Sequence, residues 1–347
     1  MIESRPVADP GDIEVGGLEL VPHRELLSRS IDAWFPLSPG DRPRVEPDQA
    51  VVAGDPLADR LREPRTIVLP RSPGRHGPVE PGQPWSAGAG RRVREGETPP
   101  EGEILFRSGG RWRVAAGERF ETLVAPFAGV VREVHRGIGI RVTADARGIA
   151  GTHVRAGPTS GRLQVVAAAD AELRAPHVDV GAAGAIIVAG ARMDAEALAR
   201  ARAVGIRGVI VAGLGIKERR DFMASERRGR AAVHGLPSFA VLVLDGAARR
   251  PISNAHMALF EALEGRPAAI VGRPPCLVVD DTGIELPLPD RDELRVRSGP
   301  LVGAEGRWAG LAGPRRFAAG LTVESAFVRF GDRPPIAVPI GDLERFV

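Results

Sequence analysis

The residues best placed to do chemistry sit in one turn, Gly213-Leu-Gly-Ile-Lys217, which follows the apolar run VIVA. A glycine turn that ends a strand and opens a helix can present backbone N–H groups to a phosphate, and a lysine there adds charge. Lys217 is the only lysine in the chain. The turn matches neither the dinucleotide fingerprint nor the P-loop, so a solvated lysine at a helix start explains it equally. Asp245-Gly246 closes the next apolar run. It falls where open α/β sheets bind ligands, and also where an ordinary turn belongs. Gly213, Gly215, Lys217 and Asp245 are therefore the ligand-binding candidates.

Beyond Lys217 come Arg219, Arg220, Arg227, Arg228 and Arg230, the most basic patch in the sequence. Arginine forks pair with phosphate or carboxylate, so this patch fits an acidic partner or RNA, or simply an exposed helix face. Arg297, Arg315 and Arg316 near the C-terminus join it as partner-binding candidates. Asp280-Asp281 with Glu285 offers oxygens to a hard cation, or forms a turn around Gly283. Ser225 precedes Glu226, with His234 further on, but no nucleophile-elbow motif surrounds it. The seven histidines are scattered without a metal-ligand spacing, and a single cysteine excludes both a disulfide framework and a cysteine-based zinc site. No catalytic constellation emerges, and no cofactor is indicated.

The calculated pI of 10.1 suggests nucleic acid at first sight, yet the net charge is only +3. With no tyrosine and one lysine, almost nothing titrates between neutral pH and the arginine range, so a small excess persists upward. The 347 residues suggest several domains. No apolar run is long enough for a membrane helix, and the first residues lack a signal-peptide core, which leads to the expectation of a soluble cytoplasmic protein.

The elements that would carry these residues read as follows. Residues 1–40 form an N-terminal segment with one amphipathic helix over His23–Phe35, its stripe being Leu26, Leu27, Ile31 and Trp34. Residues 41–165 alternate apolar and turn residues and read as β structure, with a flexible Pro/Gly-rich insertion at 70–92. Residues 166–275 alternate short apolar strands (183–190, 207–213, 239–246, 267–272) with helices (193–205, 216–235, 254–265), the pattern of a parallel sheet covered on both faces. A Pro-rich linker spans 276–289, with a possible strand at 277–279, and a last β domain runs from 290 to 347.

Two stretches resemble known families. In LRVRSGPLVGAEG (294–306), Val296, Gly299, Pro300, Leu301 and Gly306 occupy the places of the KOW motif. That motif is the core of small SH3-like barrels in NusG-type transcription factors and some ribosomal proteins. The later PIAVPIGDL fits the closing strands, while 307–320 are richer in glycine and alanine than that family's second strand. Residues 290–347 carry nine arginines against eight acids, a net +1 that favours phosphate contact little. Paired phrases around 48–57 and 93–105, with APFAGVVREV at 125–134, resemble biotinyl and lipoyl domains and the wider barrel-sandwich hybrids, without the acceptor lysine.

The expectation is a multidomain α/β plus β protein: a barrel-sandwich β region, a central Rossmann-like parallel-sheet domain and a C-terminal SH3-like β-barrel. The KOW resemblance implies a non-catalytic adaptor with a protein partner, in the setting of RNA, RNA polymerase or the ribosome. The alternatives are a small-molecule binder or enzyme at the carboxyl edge of the sheet, and a structural component of a larger assembly.

Overall fold

The computed structural model describes residues 14–347 except 16–17, 24, 38–40, 63–65, 70–83, 87–100, 109–110, 116–118, 156–157, 233–238, 280–282, 288–289 and 291. The fold is rich in sheet, with few helices, and none of its sheets closes into a barrel among the described residues. No helix there is long and apolar enough to cross a membrane. The chain divides into two compact units, the first built from 1–33, 144–225 and 237–347, the second from 34–143 and 226–236.

The first unit is organised by a mixed sheet. Its strands are β1 (Thr159–Val165), β2 (Ala185–Val188), β3 (Gly208–Val211), β4 (Ala240–Val243), β5 (Pro267–Gly272) and β6 (Pro275–Val279). β1 to β4 run parallel in chain order, while β5 and β6 join antiparallel beside β1. His153–Arg155 adds an antiparallel edge beside β4. β2, β3 and β4 are buried along their whole length because helices cover both faces. On one face, α1 (Ala195–Ala203) packs Ala197, Leu198 and Ala201 against Ile187, Val209 and Val241, joined by Phe222 of α2 (Ile216–Ala232). On the other, α3 (Asn254–Ala262) packs Leu259 and Phe260 against Ile186, Ile210 and Leu242. Burying each such side chain contributes about 1.5–3 kcal/mol. The helix starts are capped as their sequences suggest: Asp194 accepts from the N–H of Ala197 at 2.7 Å, and Ser253 from that of His256 at 3.1 Å.

A second sheet of the same unit follows: β7 (Glu293–Val296), β8 (Glu305–Arg316), β9 (Thr322–Arg329), β10 (Ile336–Pro339) and β11 (Leu343–Phe346). Its order is β10-β9-β8-β7-β11, with the N-terminal strand Val21–His23 added parallel beside β11. A 3-10 turn, Ile340–Asp342, leads into β11. Leu294, Val296, Ala326, Val328, Val338 and Leu343 form its core.

In the second unit, Pro56–Arg62 pairs with Arg119–Val124 and Arg42–Pro43, while Gly129–His135 pairs with Ala50–Val51 and with Gly139–Ala150. The phrase at 48–57 meets the APFAGVVREV stretch: Gly54 N–H donates to the Ala125 carbonyl and Ala125 N–H to the Asp55 carbonyl, both at 2.8 Å.

Several sequence expectations require correction. The segment at 23–35 is not a helix; Leu26–Pro36 is a strand. Its buried residues are Ile31, Ala33 and Phe35, a period of two, and Trp34 points the other way, over Gly139. β1 lies in the mixed sheet, so the boundary at 165 cuts through that sheet. β6 is a buried strand rather than part of a linker, with Cys276 to Val279 all buried, because it lies between β5 and the strand end Gly148–Ala150, antiparallel to both. The sheet is therefore parallel only in its centre. Most of 70–92 lies outside the described residues, but Pro84–Ser86 is a strand paired with Glu101–Ser108.

Candidate functional site

The expected carboxyl-edge site is filled. Gly213 is packed so closely that a Cβ there would lie 2.1 Å from the Ala248 carbonyl oxygen. Gly215 faces the Glu218 carboxylate, which pairs with Arg192. Glu218 also occupies the positive end of α2: a hydrogen bond from its own backbone N–H, with Arg192 and Lys217 nearby, lowers its pKa from the usual carboxylate value. An anion arriving at this turn would meet a carboxylate already in place. Lys217, Arg219 and Arg220 are exposed on the helix beyond. The side chains of Ser225, Glu226, Arg227, Arg228, Arg230 and His234 lie outside the described residues, as do Asp280 and Asp281; Glu285 is exposed.

Asp245 is buried and leads into the strongest feature of the molecule, a cluster of charges at the carboxyl end of β4. Arg295, in the middle of β7, is fully buried. Its guanidinium grips Asp245 bidentately, Nη2 donating to Oδ1 at 2.8 Å and Nη1 to Oδ2 at 3.2 Å. Its Nε donates to Glu344 Oε1 of β11 at 2.5 Å. Arg250 lies behind, its Nη2 donating to the Asp245 carbonyl at 2.9 Å and its Nε 3.7 Å from the carboxylate. Burial alone would raise the Glu344 pKa, but hydrogen bonds from His23 and Arg295 hold it down at about 2. Two arginines thus face two carboxylates, and the second sheet is seated on the first by charge as well as by packing.

On the other side of this cluster, His23, Glu25, Ser253 and His256 converge. His23 Nδ1 lies 3.5 Å from Glu344 Oε2 and 3.5 Å from the Arg295 guanidinium, and the Arg295 guanidinium carbon lies 5.3 Å from the Phe346 ring centre. His256, wholly buried at the start of α3, holds Nδ1 2.8 Å from Ser253 Oγ and turns Nε2 onto Glu25 Oε2. Burial pushes the Glu25 carboxyl up to about 8, and burial with His23 beside it pushes His256 down to about 3. Ser253, His256 and Glu25 have the residue types of a nucleophilic triad. However, Ser253 is fully buried and its hydroxyl caps α3, so no substrate reaches it. His23, Glu25 and His256 are the one group among the described residues able to hold a metal ion, their ligand atoms all within 4.8 Å of one another. A cleft of about 230 Å³, lined by Glu25, Asn254, Leu259, Pro287, Asp290 and Glu293, opens beside them.

In the second sheet, Val296 is core and Gly299 takes a left-handed φ of 84° in the turn Gly299–Gly303. Gly306 packs so tightly that a Cβ would lie 2.6 Å from the Arg329 carbonyl oxygen. Pro300 and Leu301 are exposed in the turn, as are Arg297, Arg315 and Arg316 on the strands and strand ends. Sequence reasoning missed Arg295, Arg250, Glu344, His23, Glu25, Ser253, His256 and Gly303. Gly303, at φ 84°, lets its turn rest against Arg250 and Pro251, to which a Cβ would come within 2.9 and 3.0 Å. Comparison with known proteins finds no family model that matches the chain and no curated protein that matches it.

Proposed function

We propose that this protein is a non-catalytic adaptor that holds its C-terminal sheet rigidly on an α/β frame and docks a protein partner with the outer hairpin of that sheet. The observation that carries this is the bidentate Arg295–Asp245 pair. It occupies, with a residue of the chain itself, the position where an open α/β sheet would take a ligand.

The order β10-β9-β8-β7-β11, with a 3-10 turn before the last strand, supports reading 290–347 as an SH3-like barrel left open. The resemblance of Val296 to Gly306 to the KOW motif then favours a partner in the transcription or translation machinery. The meeting of the phrase at 48–57 with the stretch at 125–134 in the second unit supports a barrel-sandwich reading there, and the parallel centre of the mixed sheet supports a Rossmann-like one. The hairpin β8–β9 offers a mixed surface: Leu311 and Leu321 are 55% and 65% exposed, and Arg315 and Arg316 stand beside them. Exposed leucine with arginine fits an acidic protein surface better than a phosphate backbone, given the net charge of +1 over the segment.

The test is retention of RNA polymerase, ribosomal subunits or naked RNA on the immobilised protein at low salt. A variant carrying Leu311→Glu, Arg315→Glu and Arg316→Glu serves as control. Retention of a protein assembly, lost in the variant, is expected. Failure to retain any of the three, or retention of naked RNA alone, overturns the proposal.

A further inference from the structure

We infer that His23, Glu25 and His256 form a binding site for a divalent transition-metal ion, zinc being the best match to two imidazoles and a carboxylate. The inference goes beyond the adaptor reading and does not depend on it.

The three donor atoms converge, all within 4.8 Å of one another. Glu25 is 1% exposed and His256 is 0% exposed, and Glu25 Oε2 and His256 Nε2 are paired with each other deep in the protein. These two atoms face each other. The third donor, His23 Nε2, lies 3.8 Å from Glu25 Oε1. A cation among the three would satisfy every one of these lone pairs.

The surroundings fix the imidazoles in the orientation that metal binding needs. A ligating histidine normally gives its other N–H to a carboxylate or other acceptor, which sets the tautomer. Here the far nitrogen of His23 faces Glu344 Oε2 at 3.5 Å, and that of His256 faces Ser253 Oγ at 2.8 Å. With both protons on Nδ1, both Nε2 lone pairs are left for the ion. Ser253 Oγ would then accept from the His256 ring and from its backbone N–H at 3.1 Å, and its hydroxyl would donate to Glu25 Oε1 at 3.5 Å. All the hydrogen-bonding capacity of the serine is used.

The neighbouring cleft supplies a route. Glu25 forms part of its wall, and Asp290 and Glu293 give it negative charge, which raises the local concentration of cations. It also provides room for a water as fourth ligand. The ion would join two stretches far apart in sequence: the N-terminal residues His23 and Glu25, and the start of α3.

The experiment is zinc analysis and calorimetric titration of the full chain after chelator treatment, with Glu25→Gln as the near-isosteric variant. About one equivalent of Zn²⁺ per chain is expected in the wild type, with a rise in melting temperature on adding it. In Glu25→Gln that equivalent should be lost while the far-ultraviolet circular dichroism is kept. If Glu25→Gln does not fold, His23→Ala, at the rim of the cluster, carries the same test. A wild-type chain that takes up no zinc when titrated overturns the inference. So does undiminished binding in the folded variant.

Discussion

Replacing Arg295 with methionine should release the C-terminal sheet from the α/β frame before it harms the frame itself. The side chain makes three charge-assisted hydrogen bonds, two to Asp245 and one to Glu344. Bonds of that kind contribute about 1.5–3 kcal/mol each, set against the cost of burying a guanidinium. Methionine fills much of the volume but leaves Asp245 and Glu344 buried, with Arg250 as their remaining arginine partner at 3.7 and 3.8 Å. Stranding a buried charge in this way costs about 3–5 kcal/mol, a large share of the roughly 5–15 kcal/mol that holds a domain folded. Urea denaturation gives the total. Hydrogen exchange gives its location, since the amides of β7 and β11 should lose protection while β2 and β3 keep theirs. The double variant Arg295→Met with Asp245→Leu removes both ends and should recover part of the loss, giving a coupling energy above about 2 kcal/mol. A loss under about 1 kcal/mol, or exchange rising equally in both sheets, would refute the view that this pair seats one sheet on the other.

Two further outcomes follow from the same geometry. Glu305 accepts from the Asn254 N–H at 3.1 Å, yet burial pushes its pKa up from 4.5 to about 7, so the native chain holds a proton that the unfolded chain has already released. Its contribution to stability therefore falls as pH rises from about 4.5 through about 7; Glu305→Gln should flatten that slope, by about 1–3 kcal/mol in paired urea titrations, and an unchanged slope would count against it. Gly303→Val places a branched side chain at φ 84° against Arg250 and Pro251. It should cost about 1–3 kcal/mol in a thermal melt, whereas the same change at Gly320, which has the open space but also a positive φ of 80°, should cost less.

What the sequence made legible was local. The apolar runs that became β2, β3 and β4 are continuous because both faces are covered, and the helices between them carry caps and stripes that need no tertiary knowledge. The strand Leu26–Pro36 was misread because Leu26, Leu27, Ile31 and Trp34 also satisfy a helical stripe, while the buried set is Ile31, Ala33 and Phe35. That error hid the site. On a helix, His23 and Glu25 would lie about 200° apart, so the pair offered nothing to pursue. His256 is more than two hundred positions away, and only the fold brings it to them. Arg295 enters the sequence reading only as one of nine arginines summed over 290–347, since nothing in LRVRSG tells a buried arginine from the exposed Arg297 two residues on. Arg295 lies within β7 and Arg297 just past its end, a boundary that the sequence does not mark.

Asp245 shows why position in a fold underdetermines function. The carboxyl end of a parallel strand gathers loops and backbone dipoles, and in many α/β proteins that crevice receives a ligand. Here the guanidinium that reaches it comes from β7 of the same chain, so the C-terminal sheet behaves as a tethered ligand of the α/β frame. A buried ion pair is a weak source of stability, because desolvation offsets most of its attraction. It is a strong source of register, because a bidentate fork tolerates one orientation only. Apolar contacts of Leu294 and Val296 would allow the sheet to rock; three directional bonds from the residue between them do not. Rigid presentation is what the proposed adaptor role would require of the outer hairpin, since every bond rotation frozen beforehand is a cost removed from binding. The same reasoning explains the placement of the proposed metal site. An ion held by His23, Glu25 and His256 would fix the N-terminal strand beside β11, so both margins of that strand pair would be set by directional contacts before any partner arrives.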